Sequence, residues 1–317
     1  MSCSTESNEN KIGIVIHGGA GTILKENMTP ELENSYMIKL EEAVTAGYDI
    51  LKNGGSSKDA VEQAIRIMED SPLFNAGVGA VLTNDERVSL DASFMDGKNL
   101  NAGAIAGSSY IKNPISAAIA VMDKSPHVLL SSKGADDFAI EMGIDTVPNS
   151  YFITERRLNS LRRLKDRNSV SFKDPFIKDS KFGTVGSVAI DIHGNISAGT
   201  STGGTTNKIW GRIGDVPIIG AGNYANNECC GISATGWGEH FIRNVVAYDI
   251  AAQMIYKNEN IEEASKRSLD KVKATGGDGG VIGIDKNGNI AMEFNTAGMY
   301  RAHIDNEGNI TIKIYKD

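Results

Sequence analysis

Cysteine and proline are both scarce in this chain, and long apolar runs are missing altogether. Its 317 residues include three Cys and seven Pro. The low Pro count excludes a collagen-like or Pro-rich linker composition. An odd Cys count, with two of the three adjacent at Cys229–Cys230, is no disulfide framework and points to a reducing compartment. That pair also lacks a nearby second pair of ligands, which argues against zinc. No apolar run reaches the ~18 residues a membrane span needs. Positive charge is the minority sign, 32 Lys and Arg against 40 Asp and Glu for a net charge of −8, so a general nucleic-acid binder is disfavoured. The motifs HExxH and GxxxxGK[ST] are absent. The N-terminus MSCSTESNEN has no hydrophobic core of a signal peptide, and a cytoplasmic enzyme is expected. The alternative is a periplasmic or lipid-anchored protein in which Cys3 and its polar tether are the remnant of a lipoprotein.

What is abundant is glycine, 35 residues or about 11% against roughly 7% in ordinary usage. Such a chain makes tight turns and close backbone approaches, and suits a site built from main chain. Lys11–His17 reads as a buried strand running into the Gly-rich turn Gly18–Gly21. Thr29-Pro30 offers an N-cap and first helical residue for a helix to about Lys52, ended by Gly54–Gly55. Ser56–Glu69 is a second amphipathic helix, and 87–122 reads as three strands. From Phe152 to Lys181 the apolar residues thin out. ERRLNSLRRLKDRNSVSFKDPFIKDSK, with nine basic and four acidic residues, reads as a solvated, poorly ordered connector. A nucleic-acid patch is the other reading, but it lacks interleaved aromatics.

Beyond the connector, three turns share one form: Asp191 to Asn195, Asp285 to Asn289 and Asp305 to Asn309 all read D-x-x-G-N between alternating apolar runs. Helices over about Glu239–Tyr256 and Ile261–Lys273 sit between them. Strands, then helices, then strands on both sides of the connector suggest two packed antiparallel sheets flanked by helices, an α+β protein.

The chemistry-bearing pattern is threonine beside glycine: Gly183-Thr184-Val185-Gly186, Thr200-Ser201-Thr202-Gly203-Gly204 and Ala234-Thr235-Gly236-Trp237-Gly238. A Thr hydroxyl is a poor nucleophile unless a base activates it, and the amine of an N-terminal Thr is one such base. A cut before Thr184 would create that amine. Of the five His, His17 at a strand end stands out.

Together with FNAGVGAVLT (Phe74–Thr83), LDASFMDG (Leu90–Gly97), AGAIAG (Ala102–Gly107), GRIGD (Gly211–Asp215), GAGNYA (Gly220–Ala225) and ATGWGE (Ala234–Glu239), these segments resemble the plant-type asparaginases, or isoaspartyl peptidases, of the N-terminal-nucleophile hydrolases. The resemblance runs from His17–Gly21 to Gly276–Gly280. It implies one αββα four-layer domain over 1–317, made as a precursor and cut between Gly183 and Thr184. The cut leaves an α subunit 1–183, with 152–183 as a mobile connector, and a β subunit 184–317. It further implies Thr184 as nucleophile, Thr202 polarising its hydroxyl, the Thr235 hydroxyl and Gly236 N–H as oxyanion hole, and Asn75 orienting the nucleophile. Arg212 would grip the substrate α-carboxylate in a two-pronged contact and Asp215 its α-ammonium, with Gly236 and Gly238 lining the pocket.

No catalytic cofactor is implied. A structural sodium ion is, held by the main-chain carbonyls of Met68, Glu69, Ser71, Phe74, Ala76 and Val78, hard oxygen donors suited to a hard cation. The implied substrates are asparagine and β-aspartyl dipeptides, and the implied assembly is a homodimer of processed protomers. Glycosylasparaginase on the same fold is the alternative, disfavoured by Gly183 and STGG. The processing protease taspase is more distant. A noncatalytic Gly-rich binding module would explain the glycines as anion nests but not the convergence of Thr, Arg and Asp.

Overall fold

The structure, a computed structural model, describes residues 11–168 and 183–316. Four layers stack as helix, sheet, sheet, helix. The large sheet runs in the order β12-β11-β1-β5-β6-β2-β3-β4, with β1 Gly13–Gly21, β2 Leu90–Asp96, β3 Ala102–Ser108, β4 Leu129–Ser131, β5 Val185–Ile190, β6 Ile196–Thr202, β11 Gly298–Ile304 and β12 Ile310–Tyr315. The small sheet runs β10-β9-β8-β7, with β7 Asn223–Asn226, β8 Cys230–Gly236, β9 Gly279–Asp285 and β10 Ile290–Phe294. Every pairing is antiparallel except the short edge pair β3–β4, so the large sheet is mixed.

Helices α1 (Pro30–Lys52), α2 (Ser57–Glu69) and α3 (Pro114–Lys124), with the shorter α4 (Ser132–Glu141) against β3, cover the outer face of the large sheet, closing a core that includes Ile14, Leu40, Ile65, Phe94 and Ile115. Three further helices, α6 (Gly238–Asn244), α7 (Val246–Lys257) and α8 (Ile261–Ala274), cover the small sheet around Ile232, Phe241 and Ile250. Between the sheets lies a third core of Val15, Val188, Ala198, Ile282 and Ile284. The αββα expectation therefore holds. Among the described residues no helix is long and apolar enough to cross a membrane.

Local signals explain most elements. Thr29 and Ser56 cap α1 and α2 by accepting from the Leu32 and Asp59 N–H groups, with Pro30 at the first helical position. In each D-x-x-G-N turn the Asp side chain accepts from the amides two and four residues on, and the Gly has φ of 75° to 83°.

Four details differ from the sequence reading. Gly18–Gly21 is not a turn but the end of β1, which continues past a bulge at His17/Gly19. The third expected strand in 87–122 is α3, with Asn113 before it and Pro114 at its first position. It is apolar nearly all round because sheet and helix both pack on it, and periodicity cannot separate such a helix from a buried strand. The helix expected over 239–256 breaks at Val245, which adopts the left-handed conformation and separates α6 from α7. Finally, the connector is not structureless in its first half: α5 (Glu155–Asn168) forms, and Leu161 buries with Phe152, Leu82, Val88 and Leu90. Its second half, 169–182, lies outside the described residues, as does Cys3.

Candidate active site

Strand periodicity puts the site at one end of the cleft between the sheets. Extending the β5–β6 register, in which Val185 faces Ser201 and Gly186 faces Thr200, sets Thr184 opposite Thr202. Their hydroxyls are 3.0 Å apart. Alternation aims Thr184, Thr200 and Thr202 inward, whereas Ser201 points outward and donates to Glu69 Oε1 at 2.6 Å. From the facing sheet β8 presents Ser233 and Thr235. The Thr235 Oγ1 accepts from the Ala20 N–H at 3.4 Å, which leaves the hydroxyl proton available to a ligand. Gly236 follows Thr235, and a methyl group on it would come within 2.4 Å of the Asp278 carbonyl.

Gly183, the residue before Thr184, has φ of +104°, a conformation that favours glycine. Its carbonyl accepts from the Asn75 N–H at 2.8 Å. Gly19 lies against it so closely that a methyl on Gly19 would be 2.3 Å from the Gly183 Cα. The Asn75 side chain ties the loop after α2 to the STGG turn: Nδ2 donates to the Gly204 carbonyl (2.8 Å), and Oδ1 accepts from the Val81 N–H (2.8 Å). Thr202 Oγ1 accepts from the Gly204 N–H at 3.0 Å.

His17 is fully buried between the sheets. Its Nδ1 meets the Thr184 carbonyl at 3.0 Å, and since a carbonyl only accepts, Nδ1 carries the proton. Its Nε2 then accepts from the Ser233 hydroxyl at 3.0 Å. Burial pushes its pKa down to about 3, against the pull of the Thr184 carbonyl, so the ring is neutral. Thr200 Oγ1 extends the chain, 2.7 Å beyond Ser233.

The turn between β6 and β7 supplies the charges. Arg212 donates through Nε and Nη2 to the two carboxylate oxygens of Glu239, both at 2.9 Å. Asp215 is 4% exposed, and its Oδ2 accepts no hydrogen bond among the described residues. Burial pushes its pKa up to about 7 although the Arg212 guanidinium pulls it down. Gly238 opens α6 between the two. A methyl on it would stand 2.8 Å from Asp215 Oδ1 and 2.9 Å from Arg212 Nη2, so the missing side chain leaves a space within reach of both charges. Behind Gly204, the buried Lys208 donates to the Ser89 carbonyl (2.9 Å) and sits 3.8 Å from Asp91.

Residues 10–314 match the sequence profile of the asparaginase family. The chain belongs to that family. Similar proteins include those named isoaspartyl peptidase from Escherichia coli strain K12, 47% identical over 296 residues and 92% of each chain, and from Salmonella typhimurium, 46% identical over 92% of this chain and 95% of that one. A probable isoaspartyl peptidase/L-asparaginase 2 from Arabidopsis thaliana is 39% identical over 96% of this chain and 98% of its own.

In this asparaginase-family chain, Thr184, Thr202, Thr235, Gly236, Asn75, Arg212, Asp215 and Gly238 gather around one cleft end. One detail departs from the sequence reading: the Arg212 fork faces Glu239. Glu239, Ser233, Thr200 and Lys208 were not singled out. Glu239 sits in the quoted ATGWGE, but nothing along the chain marks it as a partner 27 residues from Arg212.

The loop 68–78 turns back tightly on α2. Val78 N–H donates to the Glu69 carbonyl at 2.7 Å, Ser71 N–H to the Met68 carbonyl at 3.3 Å, and a methyl on Gly77 would be 2.3 Å from the Glu69 carbonyl. The Glu69 carboxyl is fully buried, and burial pushes its pKa up to about 8. Among the described residues no cluster of three or more His, Cys, Asp or Glu could hold a metal ion.

Proposed function

We propose that this chain is a self-processing amidohydrolase. It hydrolyses L-asparagine to L-aspartate and ammonia and removes N-terminal β-aspartyl residues from dipeptides. The observation that carries the reading is the Thr184–Thr202 hydroxyl pair, 3.0 Å apart, beside the half-buried Arg212 and the buried Asp215. The names of its relatives support the same activity.

Self-cleavage comes first. Thr184 Oγ attacks the Gly183 carbonyl carbon, the bond to the Thr184 nitrogen breaks, and that nitrogen takes the hydroxyl proton. The negative charge that develops on the Gly183 oxygen is met by the Asn75 N–H already hydrogen-bonded there. Water hydrolyses the resulting ester, leaving a Gly183 carboxylate and a free Thr184 amine. The amine, with an ordinary pKa of ~7.7–8.0, is the general base for turnover. It takes the Thr184 hydroxyl proton as Oγ attacks the side-chain amide carbon of the substrate, then passes it to the departing ammonia or amine. Thr235 and Gly236 donate to the oxyanion, and losing one such donor typically costs ~10²–10³ in rate. Thr202 polarises the nucleophile. Asp215 receives the substrate α-ammonium and Arg212 the α-carboxylate, while Gly238 leaves space beside both. A second water releases aspartate.

Mass spectrometry of aged protein is expected to find fragments 1–183 and 184–317, and Thr184→Ala is expected to stay whole. Ammonia and aspartate release from asparagine, β-Asp-Leu and a glycosylated asparagine, assayed side by side, tests the activity. Faster turnover of the glycosylated compound would move the protein to the glycosylasparaginase reading. Gly183 speaks against that outcome, because glycosylasparaginases usually carry Asp before the nucleophile, and a side chain here would collide with the Asn75 backbone at 2.7 Å.

The same reading has the carbonyls of Met68, Glu69, Ser71, Phe74, Ala76 and Val78 hold a structural sodium ion that braces the Asn75 loop. Processed protomers pair as homodimers. Cys229 and Cys230 are free thiols, in keeping with the cytoplasm.

A further inference from the structure

Arg212 carries more donors than its observed partner uses. A guanidinium has five N–H groups in two forks, one side-on through Nε and Nη2 and one end-on through Nη1 and Nη2. Glu239 occupies the side-on fork with two 2.9 Å bonds. Gly204 and Gly238 flank the end-on fork, and Gly214 lies over the guanidinium face. Methyl groups on Gly204, Gly214 and Gly238 would lie 3.5 Å from Nη1, 2.9 Å from Nη1 and 2.9 Å from Nη2 respectively. The same point at Gly238 is 2.8 Å from Asp215 Oδ1. The side-chain-free space thus lies at the end of the guanidinium and on the Asp215 side.

We infer that Glu239 is a positioning residue for substrate binding: it holds Arg212 side-on so that the end-on fork stays aimed at the substrate α-carboxylate. This rests on the reading of Arg212 given under Proposed function and adds the group that orients it. Two carboxylates then share one guanidinium, Glu239 permanently and the substrate in turn. Glu239 stands at the start of α6, 27 residues beyond Arg212. The pair therefore also ties the β6–β7 turn to the helix that supplies Gly238. A free Arg side chain would sample several rotamers and lose the entropy of fixing them each time substrate bound; one already held has less to lose.

The opposite reading is that Glu239 blocks the site and the substrate must displace it. The two differ in the sign of one measurement. If Glu239 positions Arg212, Glu239→Gln and Glu239→Ala raise KM for β-Asp-Leu by about 10-fold to 10²-fold, with kcat within about threefold and Thr184 still released as a new N-terminus. If Glu239 competes, KM falls. A second substrate separates positioning from loosened folding: an analogue of β-Asp-Leu whose aspartyl α-carboxylate is a carboxamide. It has no charge for Arg212 to hold, so positioning predicts the same KM for it in wild type and variant, whereas a general loosening raises KM for both substrates.

A KM that is unchanged or lower for β-Asp-Leu, or raised equally for both substrates, overturns the proposal. Failure of the underlying reading looks different: wild-type protein would itself fail to discriminate between the two substrates, or fail to hydrolyse β-Asp-Leu at all, and that result removes both assignments. Glu239→Asp adds a graded arm. It keeps the charge but falls one methylene short, and is expected between wild type and Glu239→Gln.

Discussion

Gly183 concentrates two constraints in one residue. Its φ of +104° suits glycine, and a methyl group on it would meet the Asn75 N–H nitrogen at 2.7 Å, on the donor that holds the Gly183 carbonyl. Gly183→Ala is therefore expected to slow self-cleavage by at least an order of magnitude, since one misplaced oxyanion donor alone costs ~10²–10³. The check is a gel time course of precursor and fragments. Asp215 makes a second prediction at this scale. Its pKa stands near 7 through burial, and it must be ionised to receive an ammonium group. As pH falls through about 7 the carboxylate is protonated, so kcat/KM for asparagine falls on the acid side. Glu239, a neighbouring negative charge, helps hold that pKa up. Glu239→Gln should accordingly move this limb to lower pH, which a pH profile of both proteins would detect.

The residues legible in the sequence were those whose role depends on backbone shape: Thr184, Thr202 and Thr235 each stand beside the glycines that make their turns. Glu239 and Ser233 were not legible. Their partners, Arg212 and His17, lie 27 and 216 residues away and meet them only through the folded layers.

At the scale of elements, capping and turn chemistry were readable and burial on two sides was not. Thr29-Pro30 and the D-x-x-G-N turns each settle their own geometry within five residues. By contrast, α3 reads as strand-like because nearly every face of it is covered, and α5 reads as solvated because its many charges mask one apolar edge. That edge offers a test. Leu161 is fully buried against Phe152 and Leu90, and truncating such a leucine typically costs about 2–5 kcal/mol. Leu161→Ala is expected to lower the unfolding midpoint accordingly in a denaturant titration. A helix lying loose on the surface would give a change near zero.

For the molecule as a whole, the neutral His17 buried between the sheets makes stability depend on pH. Its pKa is about 3 in the fold against an ordinary 6.5, so the unfolded chain takes up a proton first. The sign follows: stability is full above about pH 6.5, declines as pH falls, and levels off below about pH 3. The total is at most on the order of 5 kcal/mol. Asp215 works the other way, because its folded pKa is raised and its contribution is lost as pH rises through about 7. Because Asp215 offsets His17 over this range, the check is a difference: urea titrations of wild type and His17→Asn from pH 7 down to pH 4 should show wild type losing stability relative to the variant. Sedimentation of processed protein is expected to give a dimer of 33.8 kDa protomers, and exchanging sodium for a large organic cation is expected to lower the unfolding temperature.

The strand order carries a consequence for how such an enzyme can be made. A cut after Gly183 assigns β1–β4 to one polypeptide and β5–β12 to the other, yet in the large sheet β1 lies between β11 and β5, and β6 lies against β2. In the large sheet the two products alternate in blocks, so neither owns that sheet whole, and they cannot separate without breaking its backbone ladders on both sides of β1 and between β6 and β2. Synthesis as one chain holds the halves at the high effective concentration of a tether until the sheet has formed, after which the tether is dispensable. Halves expressed from separate genes would face a bimolecular search between two incomplete sheets with long unpaired edges, the condition under which strands find the wrong partners. On the proposed self-processing, the peptide bond before Thr184 is an assembly scaffold whose hydrolysis would follow the point at which the fold no longer needs it.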